Sequence, residues 1–150
     1  MITALMLSPY GTVSEEVLED RGAGYMPGIR TLLNGSVNPG SYLRGTKMWI
    51  PDAPGAHRPN TFATALASAW RGQDLSTGYW LHGPILLTGV DADDRPIQLP
   101  SKVPTDVRAL QALFHRLQQS WVKDGVPSND EAWRQVLDGA FEAIRDSRPA

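Results

Sequence analysis

Apolar and polar positions between residues 79 and 99 predict a β-hairpin. Residues 85–90 form a short apolar run between a Gly-Pro pair and an aspartate-rich turn, which is typical of a strand buried on both faces. The aspartates within residues 91–94 tolerate left-handed backbone angles, so they suit a chain reversal. Residues 97–99 then alternate between apolar and polar side chains, which predicts the outgoing strand.

Further short elements are predicted near the N-terminus. Residues 2–7 are apolar and predict a first strand, which a proline-containing turn at 8–11 connects to a more polar strand near residues 12–18. Pro27 stands at the start of another apolar pattern, which predicts a short helix over residues 27–33.

Residues 34–60 are dense in glycine, proline, asparagine and serine. Two apolar segments, 42–43 and 47–50, interrupt this composition, so we expect one or two short strands in a long, partly irregular excursion. Asn60 can cap a helix over residues 61–71, in which large apolar residues recur every four positions. This spacing predicts a helix with a single apolar stripe.

The last third of the chain has the pattern of two amphipathic helices. Thr105 can cap the first, which is expected to end at the Asp-Gly pair of residues 124–125. Ser128 and Glu131 have the spacing of a capping box and open the second helix. Because only a few residues connect the two helices, they are expected to pack antiparallel.

Together these elements predict a single α+β domain over residues 1–150. We expect an antiparallel or mixed sheet of about four to five strands with helices on one face, followed by a C-terminal helical hairpin. Residues 1–103 would form the sheet-containing core and residues 104–147 the hairpin. A chain of 150 residues with 41% hydrophobic residues is long enough for one core and too short for two.

Cysteine usage and the N-terminal residues bear on the cellular compartment. The apolar run at the N-terminus is too short for a membrane span and follows no basic side chain, so no signal peptide and no membrane partner are expected. The sequence contains no cysteine, which excludes disulfides and fits the reducing cytoplasm. A cytoplasmic location is the resulting expectation.

Charge is distributed unevenly along the chain, although the formal net charge is only −2. Residues 1–20 carry four acidic and no basic side chains, whereas residues 21–71 carry six basic side chains and one acidic side chain. Such asymmetry can mark an anion-binding surface. The alternative is a set of charges scattered over the solvated surface, because sequence segments need not map to one face.

Four short motifs carry a resemblance to a known family. They are the strand and turn of residues 2–12, the Gly-Ile-Arg-Thr-Leu-Leu-Asn-Gly segment at 28–35, a Pro-Asn pair at 59–60 before a helix, and residues 83–91. On these motifs the chain resembles, over residues 1–100, a small domain family of unknown function found in actinobacteria and their phages. The resemblance implies an accessory role for a phage or mobile element in the bacterial cytoplasm, and it implies no reaction.

Catalytic and metal-binding motifs are not recognised. The aspartates at 91–94 lack the glycine and glutamate that follow in a calcium loop, so a plain turn is favoured. His57, His82 and His115 have no partner at a metal-ligand spacing. Nucleophile and phosphate-loop motifs are missing, although a triad assembled from distant residues stays possible. We therefore expect no enzyme, no metal and no cofactor.

The better functional candidates are basic and aromatic residues in the middle of the chain. Basic side chains bind phosphates and aromatic side chains stack on bases, so this mixture is typical of nucleic-acid binding. The alternative is a surface loop whose aromatic side chains turn into the core. A tryptophan beside the glycine-rich connection before the hairpin would be an interaction hot spot if exposed. The candidate binding residues are Tyr42, Arg44, Lys47, Trp49, His57, Arg58 and Trp80.

The sequence thus predicts a non-enzymatic protein that binds a host or phage macromolecule. A protein partner is favoured because the sequence pI of about 5.9 is far below that of most nucleic-acid-binding domains. The alternative is a nucleic-acid-binding protein that uses the basic excursion of residues 42–58.

Overall fold

The computed structural model describes residues 1–9, 11–53 and 56–145. The strands are β1 (Ile2–Leu7), β2 (Val13–Leu18), β3 (Val37–Leu43), β4 (Thr46–Pro51), β5 (Ile85–Val90) and β6 (Pro96–Ile97), and the helices are α1 (Met26–Leu32), α2 (Thr61–Arg71), α3 (Lys102–Asp124) and α4 (Asn129–Ile144). These elements confirm the predicted α+β fold with an antiparallel sheet and a C-terminal helical pair. Within the described ranges, no helix is both long enough and apolar enough to cross a lipid bilayer.

Strand β5 lies at the centre of the sheet, whose order is β2-β1-β5-β4-β3, with β6 also paired to β5. Leu87 of β5 pairs with Leu5 on one side and with Met48 on the other. All residues of β5 except Val90 are buried, as expected for an apolar strand with neighbours on both sides. The predicted hairpin is confirmed, because β5 reverses through the aspartate-rich turn into β6, but the outgoing strand occupies residues 96–97 and not 97–99.

Both faces of the sheet are covered. Side chains such as Leu5 and Ile85 point to the core shared with α2, α3 and α4. Alternate positions such as Ala4 and Leu86 point to a second core, which α1 closes through Ile29. The prediction that the helices lie on one face of the sheet therefore holds for the three longer helices, whereas α1 lies on the opposite face.

The excursion of residues 34–60 is more regular than predicted. Strands β3 and β4 form an antiparallel hairpin, and β4 also pairs with β5, which places it inside the sheet. The apolar residues of β4 alternate between the two cores, with Met48 on the side of the long helices and Trp49 on the side of α1. The glycine and proline content of residues 34–60 did not indicate an interior strand, because β4 is stabilised by pairing with the distant strand β5.

Helix α2 is buried on all sides, so the prediction of a single apolar stripe was wrong. Every residue from Phe62 to Trp70 is buried, including Thr64 and Ser68. The small residues between the large apolar ones allow close packing, and α2 contacts β3, α3 and α4. Its N-terminus is confirmed, since the Asn60 side chain accepts a hydrogen bond from the Ala63 amide at 2.9 Å.

Helices α3 and α4 form the expected antiparallel pair. Trp121 donates through Nε1 to Gln135 Oε1 at 2.9 Å, and Gly139 lies against Leu113. The start of α4 is confirmed, because Ser128 Oγ accepts from the Glu131 amide. The predicted cap at Thr105 was wrong.

Helix α3 begins one turn before Thr105. The helix starts at Lys102, and Thr105 Oγ1 donates instead to the Ser101 carbonyl at 3.4 Å. Val103 is fully buried in the core next to the sheet. Burial of this residue extends the helix beyond the position that local capping signals indicated.

Candidate functional site

A buried asparagine fixes the segment that precedes β5. Asn60 Nδ2 donates to the carbonyl oxygens of Leu7 at 3.0 Å and Gly83 at 2.8 Å. The Asn60 amide donates to the Leu81 carbonyl at 2.7 Å, and the Leu81 amide donates to Thr64 Oγ1 at 3.1 Å. Residues 79–83 are thereby tied to the start of α2 and to the end of β1.

This segment faces β3 across a groove of about 550 Å³. We call it the aromatic groove; its lining residues are Asn38, Pro39, Gly40, Tyr42, Ile50, Pro51, Tyr79, Trp80, Leu81 and His82. The groove is open to solvent, and Tyr79 is 54% exposed. Exposed aromatic surface in a concave site is typical of contact surfaces for partners.

The aromatic side chains of this groove are held in place from behind. The hydroxyls of Tyr42 and Tyr79 are hydrogen-bonded at 2.7 Å. The Trp80 ring meets the Trp133 ring edge to face, with centroids 4.5 Å apart and an interplanar angle of 61°. Trp133 Nε1 lies 3.4 Å from both carboxylate oxygens of Asp74. The groove is therefore largely preformed.

Tyr42 lies closely over its own strand. A Cβ atom at Gly40 would come within 2.7 Å of the Tyr42 ring, so a glycine is needed there for the ring to occupy its place. The Arg71 guanidinium lies 5.8 Å from the centroid of the same ring. Burial, reinforced by the hydrogen bond to Tyr79, raises the pKa of the Tyr42 hydroxyl above its ordinary value.

A second groove, of about 950 Å³, lies between the β3–β4 turn and the end of α2. We call it the charged groove, because Arg44, Lys47, Arg71, Asp91 and Asp94 are among its lining residues. Tyr42 lines this groove as well, so the two grooves are neighbours.

The charged side chains are partly engaged with one another and with the backbone. Lys47 Nζ lies 2.5 Å from Ser41 Oγ and 3.5 Å from Asp94 Oδ1. Arg71 Nη2 donates to the Ser41 carbonyl at 2.6 Å. Arg44, at the hairpin turn, is exposed. The groove therefore holds three basic and two acidic side chains and is not a purely cationic surface.

His57 and Arg58 lie beside the segment that precedes β5. The Arg58 carbonyl accepts from the Gly83 amide at 2.8 Å, and the His57 ring lies over Gly83. His82 Nδ1 lies 2.8 Å from the Trp80 carbonyl. The structure thus places these two candidates against Gly83, beside the segment that carries Trp80.

Trp49 is the exception among the candidate residues. It is 5% exposed, packs in the core closed by α1, and donates through Nε1 to Thr88 Oγ1 at 2.9 Å. Trp49 therefore has almost no exposed surface for contact with a partner, and it is no longer a candidate binding residue. The alternative of an aromatic side chain turned into the core is correct for this residue.

Tyr79 and Arg71 are members of the site that were not among the candidates from the sequence. Tyr79 directly precedes the candidate Trp80, so a pair of adjacent aromatic residues was the available signal. Arg71 lies at the end of α2 and reaches Ser41 of β3 only in the folded chain. No local pattern connects these two residues.

A further kind of site that the described part of the chain could contain is a cluster of metal-ligating side chains. No group of three or more His, Asp or Glu side chains there could hold a metal ion. Asp91 Oδ1 accepts from the amides of Asp93 and Arg95 at 2.8 and 2.9 Å, which is the plain turn that the sequence predicts. Comparisons of the chain with protein-family models, curated proteins and solved structures found no match.

Proposed function

We propose that this protein is a non-catalytic accessory protein of a phage or mobile element and that it binds a partner protein through the aromatic groove. The observation that carries the binding role is the preformed set of Tyr42, Tyr79 and Trp80 around an open groove. The phage or mobile-element context rests on the resemblance of the four sequence motifs. The binding role does not depend on that context.

Prearranged aromatic side chains favour a protein partner. Tyrosine and tryptophan offer large contact areas with a polar end, and they dominate interaction hot spots. Their ordering cost is reduced here because Tyr42 is bonded to Tyr79 and Trp80 packs on Trp133. Pro39, Ile50 and other apolar residues supply the remaining walls.

Nucleic-acid binding is less well supported. The charged groove contains Arg44, Lys47 and Arg71, which could contact phosphates. However, Asp91 and Asp94 line the same groove, and Lys47 already pairs with Asp94. A nucleic-acid backbone carries a phosphate at every nucleotide and needs a continuous basic surface, which this mixed groove does not offer, so we treat nucleic-acid binding as an alternative outcome of the test.

The test selects a display library of random peptides on the full-length protein and measures the enriched peptides by calorimetry. We expect Tyr79→Ala and Trp80→Ala to weaken binding at least about tenfold each, as loss of a hot-spot residue does. Ile97→Ala is the matched control, because Ile97 is 42% exposed on β6 and lies outside the groove. Circular dichroism verifies that each variant is folded.

Two results would contradict the proposal. Selection could enrich no peptide, or the enriched peptides could bind the Trp80 and Tyr79 variants as tightly as the wild type. Salt-sensitive retention of DNA or RNA that is lost in Arg44→Ala would support the nucleic-acid alternative instead.

A further inference from the structure

The aromatic groove and the charged groove adjoin at Tyr42, and the two grooves taken together are called the path below. Both are lined by Tyr42, which stands where they meet. An extended chain that follows the aromatic groove past Tyr42 comes next to Arg44 and Arg71. A ligand in this path therefore contacts a mainly apolar surface in the aromatic groove and a charged surface in the charged groove.

The charged part of this path keeps basic groups that the protein itself does not neutralise. Lys47 is paired with Asp94 at 3.5 Å. Arg44 is exposed and forms no ion pair with any residue of the described ranges. Arg71 donates through Nη2 to a backbone carbonyl and forms no ion pair with a described residue. Two guanidinium groups are thus available to an anionic group of a ligand.

Strand β3, which borders the path, is poorly suited to pairing with an added strand. Pro39 has no N–H group to donate, and the ladder with β4 is irregular between Gly40 and Leu43. The Ser41 carbonyl is already bonded to Arg71. A ligand therefore has to be recognised through side-chain surfaces and not by extension of the sheet.

The aromatic part of the path combines flat rings with a free donor. Trp80 Nε1 forms no hydrogen bond with any described residue, although the ring itself packs on Trp133. Proline-containing segments in the polyproline II conformation present flat rings and unbonded carbonyl oxygens, and aromatic grooves bind them. Such a segment matches both the rings and the donor.

We propose that the occupant is an extended, proline-containing segment of a partner protein with carboxylates beside its prolines. The prolines lie against Tyr79 and Trp80, and the carboxylates lie at Arg44 and Arg71, whose guanidinium groups match a carboxylate geometrically. This inference rests on the proposed function, because it assigns a chemistry to the ligand of the same groove.

Fluorescence anisotropy with synthetic peptides tests the inference on the full-length chain. The peptides share a core of prolines and leucines and carry either glutamates or lysines, placed before or after the core. We expect at least one glutamate peptide to bind about tenfold more tightly than its lysine counterpart, with the difference shrinking as salt is added. Replacing the prolines by glycines should abolish binding.

A charge reversal distinguishes the groove from the overall charge of the protein. Arg44→Glu should remove or invert the preference for glutamate, whereas Arg30→Glu, an exposed residue of α1 on the opposite face, should leave it unchanged. Equal binding of the two charged peptides by the wild type would overturn the inference, as would full binding of the glycine peptide.

Failure of this inference is distinguishable from failure of the proposed function. If the display-selected peptides depend on Trp80 but contain neither prolines nor carboxylates, the chemistry assigned here is wrong and the binding role stands. If selected peptides bind independently of Trp80 and Tyr79, the proposed function itself fails.

Discussion

Single residues hold in place the segments that line the aromatic groove. Asn60 is fully buried and joins β1, α2 and the segment before β5 through four hydrogen bonds of its side chain and amide. Its carboxamide both donates and accepts in this position, which no other side chain of the same size reproduces. Tyr42 lies between the aromatic groove and the charged groove and lines both.

Replacing Asn60 by aspartate should destabilise the protein strongly. Asn60→Asp keeps the acceptor for the Ala63 amide but directs a carboxylate oxygen at the carbonyls of Leu7 and Gly83. We expect a loss of about 3 kcal/mol or more in the free energy of unfolding, measured by urea denaturation. Asn34→Asp, at an exposed position, should change stability by less than about 0.5 kcal/mol. Similar stabilities for the two variants would contradict this role of Asn60.

Because the pKa of Tyr42 is raised, the free energy of unfolding should depend on pH under alkaline conditions. The folded protein holds the Tyr42 proton to higher pH than the unfolded chain, mainly because of burial and then because of Tyr79. The unfolded chain therefore loses this proton first, so the free energy of unfolding should fall as pH rises above about 10. Tyr42→Phe should reduce this dependence. Denaturation curves at several alkaline pH values measure the slope, and an unchanged slope in Tyr42→Phe would refute the assignment.

At the scale of elements, close helix packing depends on a glycine in α4. A Cβ atom at Gly139 would lie 2.5 Å from Leu113 Cδ1 and 2.9 Å from Leu113 Cδ2, so the two helices approach closely at this point. Nearer the loop that connects the two helices, Trp121 Nε1 donates a hydrogen bond to Gln135 Oε1. Helix α4 also contacts α2 and carries Trp133, so its position supports the Trp80 ring.

Gly139→Ala should therefore destabilise the protein, although alanine favours a helix. Overpacking against the buried Leu113 is expected to cost about 1–3 kcal/mol, which exceeds the gain of about 1 kcal/mol in helix propensity. In a Leu113→Ala background the overlap is gone, so the same substitution should become neutral or stabilising. Thermal denaturation of the four proteins of this cycle measures the reversal, and a gain in stability in both backgrounds would show that the packing is not tight.

At the scale of the whole molecule, the sheet order turns the uneven charge of the sequence into a spatial asymmetry. Strand β2, with Glu15 and Glu16, lies at one edge, and β3, next to Arg44, lies at the other. Acidic side chains on an edge strand discourage pairing with other chains. At the β3 edge, Pro39 and the bond from Arg71 to Ser41 have the same effect.

Removing the charges of β2 should promote self-association. Glu15→Thr combined with Glu16→Thr leaves the edge strand with good β formers and no charge. We expect sedimentation velocity to show concentration-dependent association of this variant. The matched control is Asp138→Thr with Glu142→Thr, which changes the net charge equally at exposed positions of α4. Association of the control to the same extent would mean that net charge, and not the strand edge, is responsible.

The sequence by itself determined the elements whose stabilising interactions are local. Residues close together in the chain account for the first two strands, the short helix that contains Pro27, the turn at Asp91 and the helix caps at Asn60 and Ser128. Part of the candidate site was also predictable, since Tyr42, Arg44 and Lys47 lie within one hairpin.

Only the tertiary structure decided burial and assembly. Contacts with distant residues place β4 inside the sheet and Trp49 in the core. They also enclose α2 on all sides and extend α3 to Lys102. Tyr79 and Arg71 joined Tyr42 for the same reason. Burial depends on the summed contacts of the folded chain, whereas periodicity and capping record only the interactions of neighbours in sequence.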